Sequence, residues 1–250
     1  MPMKNSRMTD AWVAKVVAAN PCQKLPNGNL RTCPVRLAFV NLWTPQEREG
    51  KKPSYNAALL FPPGSDSQIQ SVFWPEWVSL ARATFPQNWG ADGRPFGLNW
   101  PFHPCDEKQN YSGYTPGCQY VGCSSEFKPQ IVDPAMNPIT SPERIYSGAW
   151  AILALNPYTY RQEKKGVGFG IQSVMIIADD EPLATGGSDP NTDFSGVQID
   201  NAFSPSAAFG TGPVMTPGAP PPPASILPPA QPVGGYGAAL PPGDPLAGLV

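Results

Sequence analysis

Tyr158, Tyr160, Arg161, Lys164 and Lys165 fall within eight residues of one another, between two apolar runs. Flat π-faces beside cations are what a surface needs to hold unpaired bases and the phosphates that join them. Each base stacked on an aromatic ring contributes about 1–3 kcal/mol whatever its identity, and Lys and Arg neutralise phosphates without reading sequence. Tyr158 and Tyr160 share a parity, so on an extended chain they point the same way. Trp150 lies among Ala149, Ala151 and Ile152 with no neighbouring charge, and is expected in the core.

Catalytic chemistry has little to build on. The chain has one histidine, His103, set between Phe102 and Pro104, and no nucleophile-elbow or Walker-type glycine pattern. The residues therefore predict a binding protein and not an enzyme. Asp179, Asp180 and Glu181 follow a predicted strand, where acids form either a solvated turn or, less often, a divalent-cation site. His103, Cys105, Cys118 and Cys123 have the composition of a structural zinc site, although Cys118 and Cys123 would face opposite sides of a regular strand. A bulge or turn at Gly122 would be needed to bring them together; otherwise these are buried or incidental thiols.

Charge divides the chain. Residues 1–165 hold all seventeen Lys and Arg against twelve acids, a net of +5, and residues 166–250 hold seven acids and no base. A mildly basic body with an anionic end suits a protein that binds a polyanion and releases it, and equally suits acids in solvated loops. The five cysteines are an odd set, Lys15 interrupts the only apolar run near the N-terminus, and no stretch approaches eighteen uncharged apolar residues. These features predict a cytoplasmic protein with reduced thiols and no membrane span.

The elements that must position these groups can be read from periodicity. Thr9 or Asp10 caps a helix through AWVAKVVAA that ends at Asn20-Pro21. VRLAFVNLW alternates Val35, Leu37, Phe39, Asn41 and Trp43 against Arg36, Ala38, Val40 and Leu42, and pairs with SYNAALLFP across a basic loop. Two helical stretches follow, SQIQSVFW and PEWVSLARATF, and strands resume at GCQYVGCSS, Tyr146–Leu155 and GFGIQSVMII. About five strands, all antiparallel in character, with one helical insertion make an all-β protein with minor helix, most economically a small barrel. Residues 201–250 hold thirteen Pro, eight Gly and one charged residue, Asp244, and are expected to form a disordered Pro-rich tail. With residues 1–30 as an N-terminal extension, the domain spans residues 31–200.

The order FVNLWTP, a basic loop, YNAALLFP, a helical insertion, GCQYVGCSSEFKPQIVD, YSGAWAILALNPYTY and KKGVGFGIQSVMIIADDEPL resembles the OB-fold single-stranded-DNA-binding proteins of tailed bacteriophages. The resemblance implies a five-stranded OB-fold barrel that coats unpaired DNA during phage replication, repair and recombination, in the cytoplasm of the infected bacterial host. Carried over by position, it implies DNA contacts at Arg48, Lys51 and Lys52 in the basic hairpin loop, at Phe127 and Lys128, and from Tyr158 to Lys165. Arg36 and Tyr55 on the hairpin strands are weaker candidates. Phage replication or recombination proteins are the implied protein partners. The likeness departs at the tail: such proteins usually end in a strongly acidic segment, whereas this one is Pro-rich and suits a spacer or partner ligand. The competing reading is a virion structural or assembly protein with a Pro-rich stalk.

Overall fold

The structure is a computed structural model that describes residues 3–161, 164–183 and Ser195, with Lys51 described in its backbone alone. The chain divides into residues 1–195 and 196–250, so the expected tail lies outside the described residues, as do Asp189, Asp193, Asp200 and Asp244. The described residues are mostly β with minor helix. Helix α1 (Asp10–Ala19) starts where expected, the Thr9 hydroxyl accepting from the Trp12 amide, and is closed by Asn20 before Pro21. Two short strands, β1 (Gln23–Lys24) and β2 (Leu30–Arg31), flank the Asn27-Gly28 turn.

Strands β3 (Val35–Arg48) and β4 (Lys51–Phe61) form the expected hairpin, but the alternation along β3 breaks. Ala38 faces Ala58 while Asn41 faces Asn56, so three steps on β3 match two on β4. The extra residue is accommodated at Phe39, whose φ of 50° is left-handed. A one-residue bulge exchanges the faces beyond it. Leu42, expected opposite Leu37, joins it in the core, and Phe39 is turned outward.

The helical insertion runs without interruption as α2 (Asp66–Gln68), a π turn over Ile69–Phe73, and α3 (Trp74–Thr84), where two separate helices were expected. Pro75 in the first turn of α3 has no N–H to continue an α ladder, and the wider turn precedes it directly. Phe73 from the π turn packs with Phe61, Phe102 and Phe169, ring centroids 5.3–5.9 Å apart, in the main core.

The remaining strands are β5 (Phe102–Pro104), β6 (Gln119–Ser125), β7 (Gln130–Val132), β8 (Trp150–Arg161) and β9 (Lys165–Ala178). Pairing runs from β3 to β4, β6, β9 and β8, and β8 returns to β3. The five long strands therefore form a ring, sealed unevenly. β8 and β9 pair along their length, whereas β6 meets β9 only at Ser124↔Gly170. The expectation of an all-antiparallel sheet is corrected here, because β9 runs parallel to both β6 and β7. Residues 133–149 carry the chain across to β8 before β9 returns, so β9 reaches the far edge in the same sense as β6.

Outside the ring, Trp12 of α1 packs edge-on against Trp150 with centroids 5.4 Å apart. Trp150 is fully buried, as expected, and its indole N–H donates to Asp180 Oδ2 at 2.9 Å. Arg36 is fully buried too, which removes it from the candidate DNA contacts. Its guanidinium donates to the carbonyls of Lys4 (2.8 Å), Gly148 (3.1 Å), Glu181 (2.8 Å) and Asn5, and lies 3.4 Å from Asp180 Oδ2. An arginine at an outward-reading strand position has been covered by the N-terminal segment and by residues 179–183.

Asp180 is neither a solvated turn residue nor placed to hold a cation. Its carboxylate accepts from Ser6 Oγ (2.5 Å), the Arg7 amide (2.6 Å), Trp150 and the Glu181 amide (2.7 Å). Burial alone would raise its pKa, but these hydrogen bonds outweigh it and hold the group below the usual carboxylate value. The Tyr146 hydroxyl donates to the Asp180 carbonyl (2.9 Å) and accepts from its amide (3.0 Å). Gly148, at φ 122°, lies so close to the Glu181 carbonyl that a Cβ would collide with it. The Tyr-Ser-Gly and Asp-Glu-Pro-Leu segments thus form one buried lock.

Candidate nucleic-acid interface

The aromatic connection expected between the last two strands is itself strand. Tyr158 pairs with Gly168, Tyr160 with Gly166 and Arg161 with Lys165, so the ladder runs to the last residue of β8 and the first of β9; residues 162 and 163 lie outside the described residues. The register explains the sequence of β9. In GVGFG, Val167 and Phe169 point into the core, fully buried, and Gly166, Gly168 and Gly170 occupy the opposite face. A Cβ on Gly168 would lie 3.0 Å from the Tyr158 ring, and one on Gly166 would lie 2.8 Å from the Tyr160 hydroxyl. The glycines let both tyrosines lie down across the neighbouring strand, their centroids 6.4 Å apart.

These rings form one wall of an open groove of about 950 Å³. Its base is β-sheet, contributed by Ser124, Asn156, Gly170 and Gln172, and the far side brings Gly50, Lys52 and Ser54 from the β3–β4 hairpin. Phe127, 81% exposed, closes one end after β6, its amide donating to Ser125 Oγ. Four expected residues thus meet in one groove: Lys52, Phe127, Tyr158 and Tyr160.

The other candidates are placed around it. Arg161 donates to the Thr84 carbonyl (3.1 Å) and lies 5.2 Å from the Phe85 ring centroid, tying the β8–β9 hairpin to the end of α3. Asn99 reinforces this by donating to the Tyr160 hydroxyl (2.9 Å) and to the Lys165 carbonyl (2.8 Å). Lys164 and Lys165 are exposed at the same hairpin end. Lys52 pairs with Glu126 at 3.2 Å, an exposed contact worth little and open to exchange for a phosphate. Arg48 is occupied by Gln46 and does not line the groove, and Tyr55 lines a neighbouring hollow beside Lys52 and Glu126. The Lys51 side chain lies outside the described residues. Lys128 does not line this groove; its ammonium lies 4.0 Å from the Trp43 ring centroid.

Asn156 and Gln172 were missed by the sequence reading. The alternating glycines of β9 were the available signal, since small residues at every second position leave room above them for partners from the next strand.

The expected zinc quartet is not assembled. Cys105 and Cys118 form a disulfide, which also overturns the expectation of uniformly reduced thiols. They close the excursion between β5 and β6: the Cys105 amide donates to the Cys118 carbonyl at 2.9 Å, and their Cα atoms are 5.3 Å apart, well within bridging range. Cys123 points into the ring with a buried thiol whose pKa is raised by that burial, on the other face of β6. His103 lies against the Tyr120 ring. Among the described residues no three His, Cys, Asp or Glu side chains are grouped to hold a metal ion, and no helix is long and apolar enough to cross a membrane.

Fold and groove together define a mostly-β protein with a sheet-floored trough, edged by aromatic rings and lysine, shaped for an extended chain of flat, anionic units. The chain belongs to the family described as Enterobacter phage Enc34, ssDNA-binding protein, which it matches over residues 28–204. The single-stranded DNA-binding protein from bacteriophage Enc34 in complex with ssDNA superposes with a TM-score of 0.55 at 17% identity, covering 66% of this chain and 98% of that one. The same phage protein in a second structure gives a TM-score of 0.51 at 19% identity, covering 70% and 98%. At these identities the likeness is one of fold. Protein p50 of Acyrthosiphon pisum secondary endosymbiont phage 1 is 25% identical over 162 residues, covering 61% of this chain and 85% of the relative.

Proposed function

We propose that this protein binds single-stranded DNA with little sequence preference and coats strands opened during phage replication, repair and recombination. The observation that carries the reading is the convergence of Tyr158, Tyr160, Phe127 and Lys52 on one open groove. Rings in a row stack on successive bases of any sequence, and lysines reach the phosphates between them. In this reading the ring of five long strands is an OB-fold barrel, with the groove crossing it between the β3–β4 and β8–β9 hairpins. Residues 31–200 are the DNA-binding domain, residues 1–30 an extension, and residues 201–250 a tail. The protein acts by binding, without catalysis, in the cytoplasm of the infected host, where replication or recombination proteins are its partners.

Fluorescence anisotropy with labelled single-stranded and duplex oligonucleotides at two salt concentrations tests this. Single-stranded DNA should bind more tightly, with an affinity that falls steeply as salt rises. Tyr158→Ala should weaken binding by roughly 5- to 150-fold, the value of one stacked base, without unfolding the protein. Equal affinity for duplex DNA, or an unchanged affinity in the Tyr158→Ala/Tyr160→Ala double variant, would overturn the reading.

A further inference from the structure

A second groove, of about 660 Å³, opens beside the first and is lined by Trp43, Lys128, Pro129, Met136 and Ile139. Its base is the Trp43 indole, half-buried, with one side packed on the main core and Lys128 resting on the ring. Its rim is held in place by the Asp133 carboxylate, which accepts from the amides of Ala135 and Asn137 (both 2.9 Å). That turn keeps Met136 at φ 65° and 66% exposed over the groove.

The linings of the two grooves adjoin along the chain at two places. Phe127 lines the first and the next residue, Lys128, lines the second. Gln172 lines the first, and its neighbour Ser173 pairs with Gln130 of the second. The chain thus passes from the end of the first groove at Phe127 directly to Lys128, which rests on Trp43 in the second. A cation resting over an indole marks an electron-rich face that is presented and not filled by core packing. A lysine in that position can trade the ring for a phosphate while a base takes its place on the ring.

We propose that Trp43 and Lys128 form an additional subsite for the same single-stranded DNA, Trp43 stacking a base and Lys128 engaging an adjacent phosphate. The proposal rests on the DNA-binding reading above, and predicts an effect that depends on oligonucleotide length. OB-fold sites range from about 4 to about 16 nucleotides, so the comparison is between oligothymidylates of about 5 and about 15 nucleotides.

In anisotropy titrations of the full-length protein, Trp43→Ala should weaken binding of the longer oligonucleotide about tenfold and change the shorter by less than about twofold. Lys128→Glu, at an exposed side chain, avoids any effect of truncating a half-buried tryptophan. It should lower the salt dependence for the longer oligonucleotide alone, by at least the share of the one phosphate that Lys128 neutralises. Equal losses on both lengths, or none on either with both variants, would overturn the subsite, the latter leaving the groove to a protein partner. Tyr158→Ala is measured alongside. If it weakens both lengths while Trp43→Ala and Lys128→Glu weaken neither, the first groove stands and only the extension fails. If none of the three variants has an effect, the DNA-binding reading itself fails.

Discussion

Asp180→Asn changes one atom pair and should nevertheless destabilise the protein strongly. Oδ1 of Asp180 accepts from the Arg7 and Glu181 amides, and Oδ2 accepts from Ser6 and Trp150 and faces Arg36 Nε at 3.4 Å. An asparagine oriented to keep the two amide bonds on its oxygen presents N–H groups to the Trp150 and Arg36 donors. The reverse orientation sets donor against donor at Arg7 and Glu181. The first orientation loses the Trp150 bond and the second both amide bonds, and in either buried Arg36 loses its counter-charge. Leaving one member of a buried pair uncompensated costs about 3–5 kcal/mol, a large share of the roughly 5–15 kcal/mol that keeps a domain folded. For a domain of this size that lowers the melting temperature by roughly 10 °C.

The pH dependence supplies a second signature. Asp180 titrates below the ordinary carboxylate value in the folded protein, so it binds fewer protons there than in the unfolded chain at mildly acidic pH. Its contribution is present above the unfolded value near 3.9 and is lost as pH falls through the folded value. Wild type should therefore lose stability below about pH 4, and Asp180→Asn should lose less over the same range. Calorimetry or circular-dichroism melts between pH 3 and pH 7 measure both. A variant melting within about 2 °C of wild type at pH 7, with the acid limb unaltered, would refute the lock.

Gly168→Val would place a branched side chain under the Tyr158 ring, where even a Cβ lies 3.0 Å away; the exposed ring should swing off the strand and single-stranded DNA affinity fall about tenfold in anisotropy titrations. Glu126→Gln frees Lys52 from its exposed partner and should tighten binding at low salt by about two- to fivefold, with a steeper salt dependence; unchanged titrations would place Lys52 outside the phosphate path. Protein purified and denatured without reductant should titrate as three thiols, Cys22, Cys33 and Cys123, whereas five would dismiss the Cys105–Cys118 bridge. Replacing both bridged residues by serine should cost about 3 kcal/mol, read in denaturant melts, because the bridge closes a short loop in the unfolded chain.

Local signals were legible where they are complete within a few residues. Thr9 and Asn20-Pro21 bracket α1 because a cap and a proline act on their own turn, and Trp150 read as core from its alanine and isoleucine neighbours. Of the site, Lys52, Phe127, Tyr158 and Tyr160 were expected, and they meet in the groove. What failed depended on partners distant in sequence. Arg36 alternates like a solvent-facing residue, and the Asp180 carboxylate and four backbone carbonyls that make its burial tolerable are brought to it only by folding. Phe39 carries no mark of a left-handed bulge, since nothing about a phenylalanine announces φ of 50°. The Tyr-Thr-Tyr-Arg segment read as a connection because its strand partner is a run of glycines, which sequence reasoning treats as breakers.

That last error exposes how the groove is made. Tyrosines on a free loop would lose their orientation as readily as they gained it, and ordering them would reduce whatever stacking contributes. Here the rings stand on β8 with the ladder paired to Arg161↔Lys165, lie across glycines that leave them room, and are anchored at the far end through Asn99 and Thr84. The opposite end of the same hairpin, Trp150↔Ala178, is held by Asp180. Ala151, Leu153 and Leu155 of β8 face the core, so the lock at Trp150 and the rings at Tyr158 and Tyr160 stand at the two ends of one hairpin, both on the side of β8 turned away from that core. This is why a carboxylate with no path to DNA and a row of glycines with no side chains both bear on how the groove is presented.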